Sequence, residues 1–179
     1  MDTKRFARFA QPGHAVTGDR STSGGSNPRV GYEFAHSIID DHSRLAYTEL
    51  HGDQRGETVV AFVERALAFF AGFGIAPKGL QTDNAWIYVK NLALKRLLEG
   101  HGITHRTIPP RTPKRNGKVE RYQQTLKREW GLGQRYRSSH HRALALPHWL
   151  EHYNTTRRHS AIGNRPPISR VRNVSRQDS

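Results

Sequence analysis

Cysteine is absent from the 179 residues, which excludes disulfides, thiol nucleophiles and cysteine-based zinc fingers and agrees with a reducing compartment. Long apolar runs are absent too. The longest, Ala66 to Pro77, has 12 residues, well short of the roughly 20 that a membrane-spanning helix needs. The opening MDTKRFARFAQPG lacks the apolar stretch and small-residue cleavage site of a secretory signal. Acidic residues are scarce, with 15 Asp and Glu against 29 Lys and Arg for a formal charge of +14. A balance of that kind points to a polyanionic partner, because each neutralised phosphate releases condensed counterions. The expectation is a soluble, cytoplasmic protein that meets nucleic acid, with neither a membrane nor a small molecule as its partner.

The positive charge is unevenly placed. Residues 29–100 hold eight Lys and Arg against nine Asp and Glu, whereas residues 105–142 hold eleven against two. A neutral scaffold therefore carries a basic second half, more basic than solubility alone requires. Three Trp, seven Phe and six Tyr supply material for a core, and the length suits one globular domain with tails.

Along the chain, residues 1–10 read as a short strand and about 11–28, rich in Ser, Gly and Pro, as a surface loop. Alternation from Val30 through Ile39 predicts a strand, Asp40 to Ser43 a turn, and Leu45 to Leu50 a second strand closing an antiparallel hairpin. Val59, Phe62, Val63, Ala66, Leu67 and Phe70 share one helical face, so Glu57 to Phe73 is the clearest helix. A strand over Gly79 to Thr82, a helix over Leu92 to Gly102 and a strand over Thr104 to Ile108 follow. PPRTPKRNG, residues 109–117, must be a basic loop, since three prolines and a glycine break any regular element. Val119, Tyr122, Leu126 and Trp130 then recur at helical spacing, predicting a helix over Lys118 to Trp130, and a last helix covers His141 to Thr155. This order predicts an α/β layer sandwich with a mixed sheet, comprising residues 1–160, followed by an extended tail over 161–179.

Asp83 stands at the end of the short strand, where a carboxylate can emerge from the sheet. Glu120 stands in the first turn of the helix after the basic loop. The helix dipole alone would favour a carboxylate there, but Gln123, Gln124 and Lys127 follow on nearly the same face. Carboxylates beside phosphate-binding groups suit hard cations such as Mg2+.

LQTDN, then GITHRTIPPRTPKRNGKVERYQQTLKREW, then HWLEHYNTTRRHSAIGNRPPISRV resemble the integrase-type catalytic core of bacterial insertion-sequence DDE transposases, over nearly the whole chain. The resemblance implies an RNase H-like three-layer fold with a mixed five-stranded sheet flanked by helices. It implies a catalytic, metal-binding set of two Asp and one Glu holding two divalent cations, Mg2+ or Mn2+. Asp83 and Glu120, with 36 residues between them, match the second Asp and the Glu. Asp2, in MDTKRF, matches the first, with Asp40 and Asp41 of IIDDHSR as competing candidates that read as turn residues. Lys114, Arg115, Asn116, Lys118, Arg121, Gln124, Lys127 and Arg128 become the expected DNA contacts. The implied activity is cleavage of DNA at element ends and strand transfer into target DNA, by a homo-oligomer associated with the bacterial nucleoid. Family members carry an upstream helix-turn-helix region to which nothing here corresponds, so the chain is expected to lack it. A non-catalytic, basic DNA-binding remnant of a transposase is the alternative.

Three other patterns invite chemistry. His148, Glu151 and His152 form an HxxEH string like that of inverted zinc proteases, yet after Glu151 the one acidic residue is Asp178, so the string is expected to be a solvent-facing helix surface. Asn154 and Asn173 open N-x-S/T sequons that need a secretory route to matter. PKRNGK could act as a nuclear localisation signal, but DNA contact is the expectation for the same residues.

Overall fold

The computed structural model describes residues 1–11, 30–108 and 116–171. The predicted loop over 11–28, beyond Gln11, and most of the predicted basic loop, including Lys114 and Arg115, lie outside the described residues. So does Asn173.

β1 (Asp2–Ala7), β2 (Tyr32–Ile39) and β3 (Ala46–His51) form an antiparallel sheet in that order. Because strand side chains alternate between faces, this register divides the sheet's residues into two sets. Thr3, His36, Ile38, Tyr47, Glu49 and His51 face α1 (Gly56–Gly72), where His36 and Tyr47 lie against Phe62 with ring centroids 5.6 and 5.7 Å apart. Asp2, Phe6, Ala35, Ser37, Ala46 and Thr48 face the opposite layer. There Ala35, Ala46 and Phe6 pack with Tyr122, Leu126, Trp130, Trp149 and Tyr153. Helices on both faces of a sheet give three layers.

α1 buries the expected stripe of Val59, Phe62, Val63, Ala66 and Phe70. It stops at Gly74, whose φ of 72° places it in the left-handed region that closes helices. β4 (Gly79–Thr82), a short helix α2 (Trp86–Val89), α3 (Leu92–Gly100) and β5 (Thr104–Thr107) follow, with β4 and β5 parallel. Leu80, Leu94, Leu98 and Ile103 join the α1 core. α2 was not expected from the sequence, being four residues long with no period to read.

The five expected strands are present, with both parallel and antiparallel pairing, but they form ladders of three and two rather than one continuous sheet. A parallel ladder needs bonds to residues on both sides of a partner. Just ahead of β1, the Met1 nitrogen donates to the Gln81 carbonyl of β4 at 2.7 Å.

α4 (Gly117–Thr125) runs on as a π-helical turn over Leu126–Gly131, so the expected single helix changes winding halfway. Val119, Tyr122, Leu126 and Trp130 are all buried, as their spacing demands. Gly131 is required here, because a Cβ would come within 2.5 Å of the Phe6 ring that meets Trp130 edge-on at 5.1 Å. α5 (Ser139–Thr155) starts two residues earlier than expected, capped by Ser138, whose Oγ accepts from the His141 N–H at 3.4 Å. The described part of the segment expected to be extended, residues 161–171, is not extended throughout. Ser160–Ile162 is a 3-10 turn and residues 167–171 are helical, with Pro167 at the first helical position, where its missing N–H costs nothing. Val171 packs into the α1 core.

A buried ion pair ties α5 to the sheet. Arg142 Nη2 donates to Glu33 Oε1 and to the Ala7 carbonyl, both at 2.7 Å, with the two charged side chains 4% and 8% exposed. Removing one partner strands the other charge in the interior, which is worth about 3–5 kcal/mol. Arg142→Met is expected to lose stability of that order in urea unfolding, and Arg142→Met with Glu33→Leu to recover much of it.

On the α1 face, burial pushes the Glu49 carboxyl up, but hydrogen bonds from Arg65, Tyr47 and His51 outweigh it and hold the pKa near 2, down from 4.5. A depressed carboxyl stabilises the fold above its unfolded pKa and stops doing so as pH falls through the folded one. Melting temperature is therefore expected to drop between about pH 4.5 and 2, and to drop less in that window for Glu49→Gln.

Candidate active site

Asp2 and Asp83 lie where the start of β1 adjoins the end of β4. Thr82, the last residue of β4, is fully buried and shares a 2.9 Å hydrogen bond with His105 on β5. Asp83 then leaves the sheet. Its Oδ1 accepts from the Ala85 N–H at 2.9 Å, an Asx turn that starts α2. Asn84 Nδ2 donates to the Ile108 carbonyl at 2.7 Å and fastens this turn to the end of β5. Each residue of the TDN string thus has a separate task.

Asp2, opposite Ser37 in the sheet, is half-buried, and its Oδ1 accepts from the Thr3 N–H at 2.8 Å. Burial raises its pKa, the Thr3 N–H and the Met1 ammonium counter that, and the charge of Asp83 raises it further. Met1 and Tyr88 feel the same two carboxylates. Burial lowers the Met1 ammonium to about 6 against their attraction, and burial with their repulsion raises the Tyr88 phenol to about 12. The fold therefore brings Asp2 and Asp83 within electrostatic range of one another.

Glu120 lies in the first turn of α4, exposed to solvent. Its helix is fastened to β1 by Gln123, whose Nε2 donates to the Asp2 carbonyl at 3.4 Å. Glu120 precedes Gln123 by three residues, which makes the two neighbours on one helix face. Among the described residues, no three His, Asp or Glu side chains are gathered closely enough to hold a metal ion. Asp2 feels the charge of Asp83, and Glu120 stands on the helix that Gln123 ties to the Asp2 carbonyl. The donor set is all carboxylate oxygen, which fits a hard divalent cation. Each Asp commits Oδ1 to a backbone N–H, and among the described residues neither Oδ2 has a hydrogen bond.

Gln123 itself corrects the sequence reading. Rather than lying on the polar face, it is 3% exposed, and its Oε1 has no partner among the described residues. The other expected DNA contacts divide. Arg121, Gln124, Lys127 and Arg128 are exposed along α4 and its π turn, Gln124 one turn on from Glu120. Asn116 is the half-buried N-cap residue, its side chain making no cap bond. Lys118 forms an ion pair with Asp41.

The competing acids serve the β2–β3 turn. Asp40 Oδ2 accepts from both the Ser43 N–H and its hydroxyl at 2.7 Å, and Asp41 is 82% exposed beside Arg44 and Lys118. His148, Glu151 and His152 all face solvent, while Trp149 and Tyr153 pack inward. Asn154 is buried and clamps the end of β3, its Oδ1 accepting from the Ala46 N–H at 2.9 Å and its Nδ2 donating to the Ala46 carbonyl at 2.8 Å. This clamp accounts for the asparagine of that sequon.

The sequence reading missed Thr3, His36 and Tyr88, which form a hydrogen-bonded chain behind the carboxylates, with Thr3 Oγ1 3.3 Å from His36 Nδ1 and 2.8 Å from the Tyr88 hydroxyl. Their separations of 33 and 85 positions leave no local signal. Trp86, 79% exposed three residues after Asp83, was also passed over.

Known proteins resemble this chain in sequence and in fold. Two family models, each described as an integrase core domain, match the chain, one over residues 10–113 and the other over residues 101–167. The putative integrase ORF3 of Spiroplasma virus SpV1-C74 is 23% identical over 154 residues, covering 79% of this chain and 42% of that protein. The uncharacterized 39.2 kDa protein of insertion element IS476 from Xanthomonas euvesicatoria is 29% identical over 146 residues, covering 80% and 40%. The chain thus spans about two fifths of the length of these relatives. Among solved structures, the catalytic core domain of BIV integrase superposes with a TM-score of 0.62 at 18% identity, covering 84% of this chain and 91% of that one. The HTLV-2 integrase catalytic core domain in complex with magnesium gives 0.61 at 13%, covering 79% and 86%. A chain of the simian T-cell lymphotropic virus intasome, in complex with PP2A regulatory subunit B56 gamma, gives 0.66 at 15%, covering 95% and 52%. These likenesses establish the fold as the RNase H-like one of retroviral integrase cores, and the matched models span more than half the sequence. The chain belongs to the integrase core domain family.

Proposed function

We propose that this chain is the catalytic core of a DNA transposase that cuts DNA at element ends and transfers the freed strand into target DNA. The observation that carries this reading is the Asp2–Asp83 pair at the adjoining ends of β1 and β4, with the Glu120 helix fastened to Asp2 through Gln123. Asp2, Asp83 and Glu120 are the residues to hold two divalent cations, Mg2+ or Mn2+. When bound, these supply charge stabilisation for the attacking and leaving oxygens of an in-line displacement.

The protein's own part is to hold and orient. Water attacks a phosphodiester and frees a 3′-hydroxyl at the element end, and that hydroxyl then attacks target DNA. No side chain becomes covalently attached. Arg121, Gln124, Lys127 and Arg128, exposed on the helix that bears Glu120, grip the phosphates on either side of the reacting one. Lys118 joins them on release from Asp41, an exposed pair worth little in water. Lys114, Arg115 and Asn116, which precede that helix in the sequence, are the further residues proposed to meet DNA, and a homo-oligomer on DNA is the working form. The core proposed for this activity is residues 1–160. Among the described residues no helix is long and apolar enough to cross a membrane.

Asp83→Asn and Glu120→Gln are each expected to abolish Mg2+-dependent strand transfer, assayed on a labelled duplex, while leaving DNA retention in a gel shift nearly unchanged. Normal joining by either variant would sink the proposal. A parent chain that retains DNA but shows no metal-dependent joining would favour the DNA-binding remnant instead.

The phosphate grip has its own signature. With six to ten phosphates contacted, affinity for DNA should fall about 10³–10⁵-fold between 50 and 200 mM salt. Charge removal at Lys127 and Arg128 together is expected to flatten that slope in salt-dependent binding titrations.

A further inference from the structure

Behind the carboxylate pair runs the hydrogen-bonded chain that the proposed reaction leaves unused, and its direction can be worked out. His36 is fully buried, and its Nε2 lies 3.1 Å from the Asp53 carbonyl. A carbonyl only accepts, so Nε2 carries the ring proton. Burial lowers the pKa of His36 and keeps the ring neutral, which leaves Nδ1 as an acceptor. Thr3 Oγ1, 3.3 Å from Nδ1, must then be the donor to it. The Thr3 hydroxyl has spent its one hydrogen, so across the 2.8 Å contact Tyr88 donates to Thr3. The phenol, raised to about 12, keeps that hydrogen throughout the working pH range.

The two ends of this chain flank the two aspartates. Thr3 follows Asp2 directly and holds its Oδ1 through the backbone N–H. Tyr88, 2% exposed, sits on α2, the helix that starts on the Asp83 Oδ1 turn. In the absence of a continuous ladder between β1 and β4, the side-chain bond from Tyr88 to Thr3 joins the two segments immediately behind their carboxylates.

We propose that Tyr88 is a positioning residue whose hydrogen bond to Thr3, directed by His36, holds Asp2 and Asp83 at the separation a divalent cation requires. The inference rests on the metal-dependent reading above and assigns to Tyr88 a task outside the set of metal ligands. Groups that orient metal ligands from behind are worth about 10–100-fold in metal affinity. A site held ready binds more tightly than one that must first be drawn together.

The test uses the full chain and Mn2+ alone, with binding followed by electron paramagnetic resonance in the absence of DNA. Tyr88→Phe removes one oxygen and is expected to weaken Mn2+ binding about tenfold, with metal-free DNA retention unchanged. Thr3→Val should match it, the double variant should be no weaker than either single one, and Thr3→Ser, which keeps the hydroxyl, should bind as the parent does. Parent-like affinity in Tyr88→Phe, or losses that add in the double variant, would overturn the proposal. If Tyr88→Phe fails to fold, as read by melting temperature, the contrast between Thr3→Val and Thr3→Ser decides. A parent that binds no Mn2+ overturns the metal-dependent reading and this inference with it. Parent and Tyr88→Phe binding alike while Asp83→Asn binds nothing overturns the inference alone.

Discussion

The antiparallel register between β1 and β2, with Asp2 opposite Ser37 and Thr3 opposite His36, determines what reaches each face of the sheet. A slip of one residue would exchange the faces and move every β1 side chain to the wrong layer. Asp2 would then leave the side that bears α4, and Thr3 would lose both His36 and Tyr88. The far end of β1 secures the register. Phe6 lies edge-on to Trp130 where Gly131 makes room for it, and Arg142 bonds both the Ala7 carbonyl and Glu33. Residues four to five positions along β1 from the carboxylate thus hold it in phase.

Side-chain period accounts for what was legible in the sequence. The stripe of α1, the buried face of α4 and the span of β4 could be read because burial repeats at 3.6 or 2 residues, whereas Asp83 and Glu120 are proposed ligands because their strings resemble a family. The division of the sheet into three and two strands was not legible, since it depends on how many bonds form between segments about 80 positions apart. The π turn after Thr125 was hidden because Val119, Tyr122, Leu126 and Trp130 satisfy an ordinary helical period. Gln123 was misjudged for a related reason. Its residue type suggested a polar face, whereas it is the side chain that enters the interior to meet the Asp2 carbonyl. The expected extended tail failed at residues 167–171, because Pro167 begins a helical turn as readily as it prevents one.

Charge is arranged to match this architecture. The scaffold of residues 29–100 is nearly neutral, and its charged groups are largely spent on local work: Glu49 on Arg65, Asp40 on its own turn, Asp53 on the start of α1. The surplus cations cluster in the second half, and four of the expected contacts there, Arg121, Gln124, Lys127 and Arg128, are exposed on the helix and π turn that bury Val119, Tyr122, Gln123, Thr125, Leu126 and Trp130. One helix therefore packs the core, anchors β1 and presents a basic surface, and all three follow from which of its residues point inward.

The hydrogen-bonded chain behind the aspartates also restricts which amino acids the fold can accept. Position 3 must accept one hydrogen and pass on another from a short side chain, which leaves serine and threonine. Position 88 needs a donor on a rigid arm long enough to cross to β1, and position 36 needs an acceptor with a second nitrogen to anchor it. None of these demands concerns the neighbours of each residue in the sequence. Three positions scattered over the first half of the chain are thereby tied to one another, and a carbonyl oxygen at Asp53, which every amino acid possesses, sets the orientation for all of them.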